Sequence, residues 1–137
     1  MNMAKVFIYG TLKRGFPLFD KGMAGTSYLG DYQTVARYPL YIAQDFFGPV
    51  MLNQPDTGLQ VRGELFDVPE DQLPTLDELE SVGTPGSFRA TLEVEPVGGG
   101  ERHSAICYFK DESWLHPLHS DQLLDYQDRR FVPPWQR

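Results

Sequence analysis

Glycine and proline set the first constraint on this chain of 137 residues: thirteen glycines and eleven prolines are spread along its length. Residues of these types punctuate regular structure, so the pattern predicts many turns, not a disordered tract. The length suits a single domain spanning 1–137, long enough to bury a genuine core. Hydrophobic residues make up 41%, aromatic 13% and charged 23%, the profile of a soluble globular protein. No apolar run approaches the roughly 20 residues of a membrane span, and no leader pattern precedes Val6. Neither a membrane protein nor a secreted precursor is expected.

Twelve basic and nineteen acidic residues leave a net charge of −7. Nucleic acid binding requires clustered Lys and Arg to neutralise phosphates, and the pairs Lys13–Arg14 and Arg129–Arg130 are too short to make a groove. No nucleic acid and no membrane partner is therefore expected. The solitary Cys107 has no internal disulfide partner, which points to a reducing, cytoplasmic setting and excludes cysteine-based zinc and iron–sulfur sites.

Strand signals dominate the chain. Lys5-Val6-Phe7-Ile8-Tyr9 is β-branched and aromatic on both faces and stops at Gly10, as a strand buried on both sides would. Tyr28–Tyr32, Tyr38–Ala43 and Val61–Val68 are strand-like. Phe88–Glu95 alternates apolar and polar residues and turns through Pro96–Glu101 into Ser104–Phe109, the best hairpin in the sequence. One clear helix candidate begins at Asp67 or Pro69, with Asp67 as a possible cap, and Pro74 can split off a short helix over Thr75–Val82. A further helix is expected around Ser120–Tyr126. The tail Phe131-Val132-Pro133-Pro134-Trp135 is aromatic enough that it should pack back onto the body. With no repeat and no linker, these elements predict an α+β fold built on a mostly non-parallel sheet or barrel.

Few residues carry chemistry. Gly10 and Gly15 have the outer spacing of a nucleotide P-loop, but Phe16-Pro17 stands where that loop needs Lys and Ser or Thr. The turn is then either a plain strand ending or a set of backbone N–H groups that can hold a carboxylate or oxyanion. In Asp77-Glu78-Leu79-Glu80, helical geometry puts Glu80 about 40° from Leu76 and turns Glu78 toward solvent. A carboxylate on the inward side must be paired, hydrogen-bonded or protonated, and a pKa raised by burial suits a proton shuttle. Two readings stay open: a catalytic Glu80, or a helix-end Glu80 paired with an arginine such as Arg89. His116 and His119, with Asp121, lack a third strong ligand and flank Pro117, so no metal site is expected. Cys107 reads as a small packed hydrophobe, and no nucleophile-elbow G-x-S-x-G is present.

Together, Val6-Phe7-Ile8-Tyr9-Gly10-Thr11-Leu12-Lys13-Arg14-Gly15 and the downstream Leu76-Asp77-Glu78-Leu79-Glu80-Ser81 resemble the γ-glutamylcyclotransferase-like superfamily. The segments Tyr38–Ala43, Val61–Val68 and Arg130-Phe131-Val132-Pro133 place the resemblance closest to its γ-glutamylaminecyclotransferase (AIG2-like) branch. The resemblance covers nearly the whole chain and implies a small mixed β-barrel with a few flanking helices. It implies a cofactor-free intramolecular reaction in which the α-amine of a γ-glutamyl group attacks its own γ-carbonyl, releasing 5-oxoproline and an amine. It assigns the catalytic role to Glu80, as general acid and base, and the cradle for the γ-glutamyl moiety to Tyr9, Gly10, Thr11 and Leu12. The implied partner is a small-molecule γ-glutamyl substrate. The sequence does not fix the oligomeric state; a monomer is slightly favoured.

Departures from the pattern keep the leaving amine open. Relatives often carry an aromatic residue two before the arginine that matches Arg89, where this chain has Ser87. Gly83–Gly86 and Asp45–Gly48 also differ in character. A cyclotransferase specialised for glutathione, and a non-catalytic binding protein that keeps the pocket for a small ligand, are the alternative readings.

Overall fold

The structure is a computed structural model that describes residues 2–137. Five strands close into a barrel in the order β1 (Met3–Ile8), β5 (Arg62–Pro69), β2 (Ser27–Thr34), β6 (Ser87–Pro96), β7 (His103–Lys110). Four of the five seams are antiparallel, and β1 meets β7 in parallel at Val6 and Ile106 to complete the circuit. Outside the barrel, β3 (Leu40–Ala43) and β4 (Gly48–Met51) form a separate antiparallel hairpin. Among the described residues, two short α-helices flank the barrel, α1 (Phe19–Gly22) and α2 (Leu73–Leu79).

Strand β1 is buried on both faces because period-two alternation sends its residues into two different cores. Phe7 joins Leu65, Val94 and Cys107 inside the barrel, whereas Val6 and Ile8 pack outward with Phe66 and Leu76 beneath the helices. The alternating hairpin is likewise as the sequence predicts, with β6 and β7 in register from Ser87↔Lys110 to Val94↔His103. One strand, β4, went unread in the sequence, since Gly48-Pro49 hides its start.

Three expectations are corrected. Asp67 caps no helix: it lies within β5, opposite Lys5, with Lys5 Nζ 3.1 Å from its carboxylate. The chain continues as strand to Pro69, makes a 3-10 turn over Glu70–Gln72, and only then enters α2, with Pro74 in its first turn. No helix forms over Ser120–Tyr126. That segment is an irregular strap whose backbone serves its neighbours: Leu123 N–H donates to Leu40 O (2.8 Å) and Arg62 N–H to Leu124 O (2.8 Å). Lys13, buried, fastens the strap by donating to Tyr126 O (2.6 Å) and Asp125 (3.0 Å). The tail does fold back, placing Phe131 edge-on to Phe46, yet Trp135 stays 51% exposed.

Closure of the barrel depends on a bare backbone at Gly63 in β5. A Cβ there would overlap the Ile8 carbonyl oxygen and the Phe7 ring of β1. Overpacking of this kind costs about 1–3 kcal/mol. Gly63→Ala should lower the urea unfolding midpoint accordingly, and an unchanged midpoint would show that the β1–β5 seam opens freely.

Candidate active site

Helix α2 ends at Leu79. Glu80 is its C-terminal cap residue, and Ser81 takes the left-handed conformation (φ +62°) that reverses the chain. Two hydrogen bonds close the end: Ser81 N–H donates to Glu78 O (3.1 Å) and Val82 N–H to Asp77 O (2.9 Å). This is a Schellman arrangement, with serine in the place usually held by glycine. The stop aims Glu80 into a cleft while Glu78 remains exposed, as the helical phase predicts.

The cleft is narrow and open to solvent, and Thr11, Pro49, Leu79, Glu80, Lys110 and Trp114 line it. Phe46, Phe131 and Arg137 extend its wall toward the tail. Arg137 lies flat against the Phe46 ring, its guanidinium carbon 3.6 Å from the centroid, and donates through Nε to Val132 O (2.9 Å). Behind the cleft, a smaller cavity is bounded by Tyr9, Gly10, Pro49, Glu80 and Tyr108.

Glu80 meets a lysine, not the arginine considered from the sequence. Lys110 Nζ is 3.7 Å from Glu80 Oε2, with side chains 8% and 18% exposed respectively. The same ammonium donates to the backbone carbonyl of Glu80 (2.5 Å) and to Ser87 Oγ (2.8 Å), and Ser87 Oγ donates to that carbonyl as well (2.8 Å). These bonds satisfy a carbonyl that a helix end would otherwise leave unpaired. Arg89 pairs with Asp77 (3.4 Å), which also accepts from the Tyr108 hydroxyl (2.8 Å). Burial pushes the Glu80 carboxyl above its ordinary range, with the Lys110 charge pulling it partly back. Burial also lowers Lys110, and Glu80 opposes that shift. The Ser87–Lys110–Glu80 arrangement escaped the sequence reading, although Ser87 was the visible departure. Nothing local to residue 80 points to residue 110.

The segment Tyr9–Leu12 contributes unevenly. Tyr9 donates its hydroxyl to Tyr108 O (2.6 Å) and borders the small cavity. Gly10 is needed for space, since a Cβ would strike the Pro49 ring. Thr11 lines the cleft, and the Leu12 side chain is buried in the core beneath the helices. Lys13 N–H donates to Gly10 O (3.0 Å), closing a turn that does not use the N–H groups of Thr11 and Leu12. Elsewhere Cys107 is fully buried in the barrel, and His119 stacks on Phe47 with ring centroids 4.2 Å apart. A left-handed conformation at a non-glycine residue costs about 1–2 kcal/mol. Ser81→Gly should therefore add up to about 1 kcal/mol of stability and raise the thermal midpoint, and a lower midpoint would assign the serine side chain a stabilising contact.

Comparison with known proteins agrees with this architecture. Residues 6–130 match the family described as Gamma-glutamyl cyclotransferase, AIG2-like. The chain is 37% identical to Gamma-glutamylaminecyclotransferase of Rattus norvegicus, over 97% of its own length and 83% of the relative's. To the protein of that name from Bos taurus it is 42% identical, over 93% and 78%. It is similar across the full length of both chains to the crystal structure of an AIG2-like protein from Mus musculus, with a TM-score of 0.83 at 29% identity. A barrel of this topology, a glycine turn after β1 and a half-buried glutamate at the end of α2 thus come together in a chain that belongs to the AIG2-like gamma-glutamyl cyclotransferase family.

Proposed function

We propose that this chain releases 5-oxoproline and a free amine from a γ-glutamyl amine or small γ-glutamyl conjugate, with Glu80 as general acid and base. The observation that carries this reading is the half-buried Glu80 carboxylate lining the same cleft as the turn after β1. Family membership supplies the reaction type, and the site chemistry suits it. The substrate's α-ammonium must lose a proton before its nitrogen can act as a nucleophile. Glu80 accepts that proton, and its raised pKa keeps it basic enough to do so and acidic enough to return it.

The neutral amine then attacks the γ-carbonyl carbon, forming the ring C–N bond and a tetrahedral oxyanion. As the oxyanion collapses, the bond to the leaving nitrogen breaks and Glu80 delivers its proton there. The surplus proton on the ring nitrogen passes to solvent. Thr11 and Leu12 offer backbone N–H groups to the oxyanion or to the substrate's carboxylate, while Tyr9 and Gly10 shape the floor. Ring closure within one molecule already has a high effective molarity, so holding the substrate folded supplies much of the acceleration.

Release of 5-oxoproline should be measured on γ-glutamyl amines, γ-glutamyl amino acids and glutathione, with wild type and Glu80→Gln side by side. Loss of a positioned general base costs about 10²–10⁴ in rate, so the variant should fall by that factor while keeping its circular dichroism spectrum. Full activity in the variant would sink the assignment. Binding of these compounds without turnover by wild type would make the cleft a ligand-binding site. The wild-type rate should also fall as pH drops through the Glu80 pKa, since only the carboxylate accepts a proton, and that limb should lie above the range of an exposed glutamate.

A further inference from the structure

Lys110 has no step in the chemistry above, yet it is among the most costly residues of the site to bury. An ammonium taken out of water must be compensated on every side or give up its charge. Lys110 is compensated: two strong acceptors, Glu80 O at 2.5 Å and Ser87 Oγ at 2.8 Å, occupy two of its directions. The Glu80 carboxylate lies at 3.7 Å, and the Trp114 ring covers the ammonium with its centroid 5.0 Å away. A residue that merely filled this space would need none of these contacts.

Among the described residues, the other groups around Glu80 do not supply a competing cation. From the β1 turn comes Tyr9, and from β7 come Cys107 and Tyr108, each of which burial pushes further toward its neutral form. From α2 itself comes Asp77, which is engaged by Arg89 and by the Tyr108 hydroxyl. Arg137 lines the cleft but lies against Phe46, and Asp111, next to Lys110, is taken by Ser113. Lys110 is thus the cation in ion-pair contact with the Glu80 carboxylate.

We propose that Lys110, held in place by Ser87, is the positioning residue of the reaction: it fixes the Glu80 side chain and stabilises its carboxylate form. This rests on Glu80 being the base. By bonding to the backbone carbonyl of Glu80 and setting its charge 3.7 Å from the carboxylate of the same residue, Lys110 favours the side-chain position that lines the cleft. The ammonium itself neither gains nor loses a proton in the cycle. Its field favours Glu80 while Glu80 is charged and relaxes when the substrate's proton arrives.

The test is a titration of Glu80 by carbon NMR with labelled glutamate, its signal assigned by its absence in Glu80→Gln, beside pH profiles of kcat/KM for 5-oxoproline release. In Lys110→Met the Glu80 pKa and the acid limb should move up together by about one pH unit or more, the scale of a lost charge partner. Loss of the fixed Glu80 position should lower the rate at neutral pH about tenfold or more, mainly in kcat. Lys110→Arg should hold both values near wild type, and Ser87→Ala should shift them in the same direction by less. If Lys110→Met does not fold, the Ser87→Ala shift decides. An unmoved Glu80 titration in the folded variants would overturn the proposal. The two readings fail separately: an active Glu80→Gln removes Glu80 as the base, whereas the NMR titration reports on Lys110 without needing turnover.

Discussion

Lys110 sits at the last position of β7, where the hairpin ladder sets it opposite Ser87 and beside the end of α2. An ammonium in that place is tolerable only because the groups of Glu80 and Ser87 surround it. The same contacts satisfy the carbonyl of the helix cap, tie α2 to the barrel wall and set the Glu80 carboxylate in the cleft. Residues that break or make this contact therefore affect helix, barrel and site at once. Its geometry is inherited from the strand register, which runs unbroken from Ser87↔Lys110 to Val94↔His103.

The opposite wall of the cleft is built from close approach. The turn after β1 needs glycine at position 10, because the β3–β4 hairpin brings Pro49 against the backbone there with no room for a side chain. Pro49 belongs to both the cleft and the cavity behind it, so the hairpin outside the barrel shapes the same space as the turn within it. The tail then covers one end, where Phe131 meets Phe46 edge-on and the Arg137 guanidinium lies over the Phe46 ring. Ser81, strained at the exit of α2, lies where the cleft needs the chain to turn abruptly.

Misread segments share one cause. Ser120–Tyr126 has the composition of a short helix, but a short helix has little stability of its own, and this segment instead bonds to backbone groups of β3 and β5. Asp67 has a capping residue's chemistry and lies two residues before Pro69, yet pairing with β1 carries the strand past it. Leu12 belongs to the turn by sequence position, but its apolar side chain goes to the core and leaves only its backbone for the cleft. In each case a partner from a distant part of the chain outweighs a local preference.

What the sequence by itself determined is whatever local periodicity encodes. The two-sided burial of β1, the alternating β6–β7 hairpin and the inward phase of Glu80 follow from which residues recur every two or every three to four positions. The family motif around Gly10 and Glu80 adds the reaction type. Only the tertiary structure decided that Glu80 meets Lys110 and not Arg89, and that Ser87 bridges the two. The physical reason is that a periodic pattern states which face must leave water but not what waits there. The group that compensates a buried charge is chosen by strand register across thirty residues of sequence, and no local pattern at either end records it.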